Sequence, residues 1–84
     1  QIGMEQCIVQ DLNIGNNLKK LRKRANLTQA EVAARLELRG LSVSREIYAQ
    51  METGKHHIKV SVLLALKEIF RADFEELFEI GTEL

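Results

Sequence analysis

Arg45, Glu46, Ala49 and Gln50 fall within the stretch SREIYAQMETGKHH, residues 44–57. Ile47, Tyr48 and Met51 in the same stretch are three and four apart, the separation at which side chains share one face of a helix. They turn inward, which leaves Arg45, Glu46, Ala49 and Gln50 on the outer face. Arginine offers five donors in a planar fork, glutamine a donor beside an acceptor, and ionised glutamate two acceptor oxygens. This is chemistry for recognising hydrogen-bonding edges, not for breaking bonds. The chain has no Ser/His/Asp set, no phosphate loop and no metal motif. His56 and His57 are adjacent and have no third ligand near them in sequence, so no metal is expected. Cys7 is the single cysteine and is read as an unremarkable thiol. No catalytic residue and no cofactor is expected, and an enzyme is the least favoured class.

Charge is partitioned along the chain. Twelve basic and twelve acidic residues cancel overall, but residues 14–60 carry ten Lys/Arg and four acids, while residues 61–84 carry two basic and six acidic groups. A basic middle and an acidic end fit a local nucleic-acid surface. They fit equally the solvated faces of an ordinary small protein, and charge alone leaves both readings open. No apolar run reaches the roughly 18 residues of a membrane span, and no signal peptide is visible. With a lone cysteine, a reducing cytoplasmic setting is expected.

The elements that must position these side chains are helical. Eighty-four residues suit one domain. Proline is absent, and Ala, Leu, Glu, Lys and Arg, all strong helix formers, dominate. Ile14, Leu18, Leu21 and Ala25 make an apolar stripe for a first helix that Asn26 stops. Thr28 and Glu31 form a capping box that opens a second helix, with Val32, Ala33 and Leu36 inward and Gly40 just past its end near Arg39. Ser44 caps the third helix and Gly54 ends it. Ser61 is expected to cap a fourth, with Val62, Leu63, Leu66, Ile69 and Phe70 at core spacing. Asp73 and Glu76 mark a fifth, with Phe74, Leu77, Phe78 and Ile80 as its apolar side. Residues 1–13 show no clear period and read as an arm or a lead-in to helix 1. The expectation is an all-α bundle of five short helices over residues 14–80, followed by a tail at 81–84.

The segments IGNNLKKLRKRANLTQAEVAARL (14–36), VSREIYAQMETGKHHI (43–58) and LLALKEIFRADFEELF (63–78) together resemble the phage-repressor-type, or xenobiotic-response-element (XRE), helix-turn-helix domain. One feature departs from that family. The turn between helices 2 and 3 usually takes three or four residues, whereas ELRGLSV separates Leu36 from Ser44, about four more. An extra turn on helix 2 absorbs the difference and puts the angle between the two helices in question.

The resemblance implies a λ-repressor-like fold whose third helix enters the DNA major groove. Arg45, Glu46, Ala49 and Gln50 are then the base-reading candidates: Arg for guanine, Gln for adenine, Glu for cytosine and Ala for a thymine methyl. Glu46 has an alternative role in orienting Arg45. The resemblance also implies phosphate contacts from Thr28, Gln29, Ser44, Lys55, His56, His57 and Lys59. It implies a structural salt bridge between Arg22 and Glu52, the alternative being two separate surface charges. The expected function is a sequence-specific DNA-binding transcriptional regulator, a repressor acting as a homodimer on a palindromic duplex, with the acidic fifth helix as the candidate dimer surface. The competing expectation is a protein-binding module such as an antitoxin or an antagonist of another regulator. No membrane partner is expected, and a small-molecule effector is left open.

Overall fold

The computed structural model describes residues 7–8 and 14–79. Among these residues are five helices: α1 (Ile14–Arg24), α2 (Gln29–Leu38), α3 (Arg45–Glu52), α4 (Val60–Phe70) and α5 (Phe74–Leu77). The fold is an all-α bundle. Two short extended pieces, β1 (Cys7–Ile8) and β2 (Ile58–Lys59), pair antiparallel with Cys7 opposite Lys59. This pairing leaves no mark in the sequence, because two residues are too few to show alternation. The rest of 1–13, Ile80 and the 81–84 tail lie outside the described residues.

The apolar stripes meet in one core. Leu18, Val32, Leu36, Tyr48, Ile58, Leu66 and Leu77 are its most deeply buried members. Ile14 and Leu21 of α1 and Met51 of α3 join them, with Leu63 of α4. In the bundle, α3 packs on α1 and α2, α4 backs α2, and α5 rests on α1.

Local chemistry sets the ends of these helices. The Thr28 hydroxyl accepts from the Glu31 N–H at 3.1 Å, and Glu31 Oε1 accepts from the Thr28 N–H at 2.8 Å, closing the capping box of α2. The Ser44 hydroxyl accepts from the Ile47 N–H and starts α3. Asp73 and Glu76 form a second capping box at α5. Asn26, Gly40 and Gly54 take positive φ at the three stops. The expected Ser61 cap is a correction. β2 holds Ile58 and Lys59 extended, so α4 begins directly behind it at Val60, with Lys59 at the cap position and no side-chain cap. Ser61 falls inside the first turn. The apolar side of α5 is also corrected. The helix has only four residues and buries Leu77, while Phe74 is 50% and Phe78 36% exposed.

The connection between α2 and α3 spans residues 39–44, longer than the 3–4-residue turn usual in a helix-turn-helix. Helix α2 runs to Leu38 and carries part of the extra length as helix. The Leu41 N–H then donates to the Leu36 carbonyl at 3.0 Å, which folds the chain back toward the core.

Candidate nucleic-acid interface

Helix α3 divides as its spacing requires. Tyr48, Met51 and Glu52 are buried, Ile47 and Ala49 are half-buried, and Arg45, Glu46 and Gln50 are exposed. Arg45 Nη2 lies 3.5 Å from Glu46 Oε2, an exposed pair worth little in stability but able to bias the direction of the guanidinium.

The back of α3 is fixed by two devices. The first is close approach to α1. A Cβ on Gly15 would lie 2.3 Å from the Met51 carbonyl oxygen and 2.6 Å from that of Glu52, so only glycine lets the two backbones meet there. The second is ionic. Arg22 Nε donates to Glu52 Oε2 at 2.6 Å and Nη2 donates to Oε1 at 3.3 Å. Arg22 Nη1 donates to the Leu27 carbonyl at 2.9 Å, and Gln29 Nε2 donates to Glu52 Oε1 at 3.0 Å. The Arg22–Glu52 pair thus ties together the end of α1, the turn after it, the first residue of α2 and the end of α3. Both charged side chains are largely withdrawn from solvent, at 12% and 3% exposure. Burial opposes ionisation of Glu52, but the hydrogen bonds from Arg22 and Gln29 prevail and hold its pKa below the ordinary carboxylate range. The Glu52 hydrogen bond raises the Arg22 pKa in turn.

Tyr48 stands beside this pair. Burial, then the Glu52 carboxylate, pushes its phenol pKa upward. Its hydroxyl is close enough to feel both charges, yet it is buried without a hydrogen bond of good geometry.

The remaining expected residues divide into two groups. Thr28 and Ser44 use their hydroxyls on their own helix ends, and Glu31 places a negative charge over the Thr28 N–H. That backbone N–H, then the Thr28 hydroxyl, keeps the Glu31 pKa low. Gln29 is half-buried and gives one of its two N–H donors to Glu52. Lys55, His57 and Lys59 are exposed and His56 half-buried, all on the segment that leaves α3. His56 Nδ1 donates to the His57 carbonyl at 2.7 Å. The structure therefore brings Arg22, Glu52 and Gln29 into one network and Arg45 next to Glu46. The basic segment 55–59 forms a separate group after the helix.

Two structural residues were missed. Gly15 gave no signal, because a glycine near a helix start reads as a weak helix former. Asn17 reads as a surface amide, yet it is buried and donates to the Leu77 carbonyl at 2.8 Å and the Glu79 carbonyl at 2.7 Å, which seats α5 on α1.

Two consecutive helices at the front of a bundle, the second with a polar outer face and a fixed back, define a helix-turn-helix. A family model described as a helix-turn-helix domain matches residues 13–79, and the chain belongs to that family. No curated protein and no solved structure gives a significant match. Among the described residues no helix is long and apolar enough to cross a membrane, and no group of three or more His, Cys, Asp or Glu could hold a metal ion.

Proposed function

We propose that this chain is a sequence-specific DNA-binding transcriptional regulator of the phage-repressor (XRE) type, a repressor that acts as a homodimer on a palindromic operator. The observation that carries this reading is the outer face of α3. Arg45, Glu46 and Gln50 are exposed on the second helix of a helix-turn-helix, while Gly15, Arg22 and Glu52 hold that helix from behind. A helix in this position enters the major groove with its N-terminal residues at the base edges. Arg45 reads guanine, Gln50 reads adenine, Glu46 aims Arg45 or accepts from cytosine, and Ala49 meets a thymine methyl. Gln29 reaches a phosphate with its second N–H, and Lys55, His56, His57 and Lys59 grip the backbone after α3. Thr28 and Ser44 contribute through the helix ends they shape.

One module makes few base contacts, and a second copy doubles them across half-sites about one helical turn apart. The half-exposed Phe74 on α5 and Phe78 at its C-terminal cap are the surface proposed for that pairing. Repression is then occlusion of the operator in a reducing, cytoplasmic setting.

Selection of bound duplexes from a random pool tests the reading, followed by anisotropy titration of the enriched sequence. An enriched palindrome whose binding is lost on Arg45→Ala and on Gln50→Ala is the expected result. No enrichment, or binding indifferent to both changes, overturns it.

A further inference from the structure

A concave site lies beside α3. A cavity of about 460 Å³ opens between the α2–α3 connection, α3 and the start of α4. Its volume lies within the roughly 300–1,000 Å³ typical of small-molecule sites. Leu41, Val43, Ile47 and Met51 supply an apolar lining, with Val62 from α4. Among the described residues, the ionisable ones along it are His56, His57 and Lys59, and no acid lines it. One wall, residues 40–43, comes from the connection between α2 and α3, which spans six residues, 39–44. The 3–4-residue turn usual in this motif is too short to build such a wall. An apolar lining that also holds the Lys59 ammonium and two imidazole rings suits a ligand with an apolar body and an anionic head.

We propose that this cavity binds a small apolar carboxylate and that its occupancy weakens DNA binding. The regulatory half rests on the function proposed above. His56, His57 and Lys59 are the residues assigned there to phosphate, and a carboxylate held by them competes for the same donors. Ile47, in the lining, lies one helical turn before Gln50, so a ligand body against it presses on the reading helix. Ligand and DNA then oppose each other through a coupling free energy that is reciprocal.

The test uses the full ¹⁵N-labelled chain titrated with octanoate, with octanol and inorganic phosphate as controls. Octanoate is expected to shift the amides of residues 41–43, Ile47 and Val62 saturably. Octanol should bind at least about tenfold more weakly, and phosphate should leave 41–43 unmoved. Ser42 is exposed on the rim. A Ser42→Trp chain, folded by its own spectrum, should lose the octanoate response. In parallel, octanoate should raise the Kd for the selected duplex about tenfold in the parent chain and not in Ser42→Trp. Absence of shifts at those amides, equal binding of octanol, or an unchanged response in Ser42→Trp overturns the site. Octanoate binding with no change in Kd overturns the regulation. A chain that binds no DNA even without octanoate overturns the proposed function instead, and the amide titration still decides the cavity.

Discussion

Arg45 and Lys55 are both exposed cations, but they are assigned different work, and substitution separates them. A two-point contact to a guanine edge discriminates by about 1–3 kcal/mol. Arg45→Ala should therefore weaken the selected duplex by roughly 5- to 150-fold and flatten the preference at one base position, read by competition with single-base variants. Lys55→Ala should weaken all duplexes by a similar factor and leave the preference intact, because phosphate contacts carry no sequence information. Behind the helix, Tyr48 makes a prediction of opposite sign. Its hydroxyl is buried without a well-formed hydrogen bond. Leaving a polar group so costs about 1–3 kcal/mol, part of which the nearby charges return. Tyr48→Phe keeps the ring and removes the cost, so urea unfolding should show stability unchanged or raised by up to about 1 kcal/mol. A clear loss would mean that the hydroxyl supports the Arg22–Glu52 pair.

At the scale of elements, what matters is how α3 is held. Gly15→Ala places a carbon against two backbone carbonyls that no rotamer can move. Helix α1 must then back away from α3, at an expected cost of about 1–3 kcal/mol in chemical denaturation, together with weaker binding to the selected duplex. The Glu52 carboxylate gives the second lever. Its folded pKa lies below its usual 4.5, so its stabilisation is complete above that value and is lost as pH falls through the folded pKa. Stability should decline below about pH 4.5, and Glu52→Gln should be less stable at neutral pH but show a shallower acid decline. Equal acid slopes in the two chains would remove Glu52 as the cause, leaving Glu31 and Glu76, whose pKa values are also depressed. These elements were legible in sequence to different degrees. Apolar spacing marked the helices from Ile14 to Phe70, and Thr28, Ser44 and Asp73 marked their starts, because caps and stripes are local chemistry. Gly15, Asn17 and the pairing of β2 with Cys7–Ile8 were not legible, since each depends on a partner 36 to 62 residues away. The start of α4 was misplaced for the same reason: a distant strand decides where the helix begins. Spacing alone put Arg45 and Gln50 on one outer face, but the direct bond from Gln29 to Glu52 required the fold.

For the whole molecule, the question is how a chain of zero net charge holds a polyanion. Its cations are concentrated in residues 14–60, its acids toward the C-terminal end, and α5 carries Glu75 and Glu76 beside the exposed Phe74 and Phe78. That end would repel phosphates, so in the proposed dimer it faces the second copy, not the duplex. Lys67 Nζ lies 4.9 Å from the Phe74 ring centroid, a cation–π contact that keeps the ring on the surface. Salt dependence counts the cations that meet DNA. With Lys55 and Lys59 engaged in each copy, a dimer should give a slope of about −4 in log affinity against log salt, and a monomer about −2. Converting Phe74 and Phe78 together to Ser removes apolar surface that the fold does not bury deeply, so the chain should remain folded. If α5 joins the copies, the double variant should sediment as a monomer, lose its preference for the palindrome over a half-site, and show the slope near −2. A double variant that is still dimeric with the steeper slope would move the pairing surface away from α5 and leave the reading face on α3 untouched.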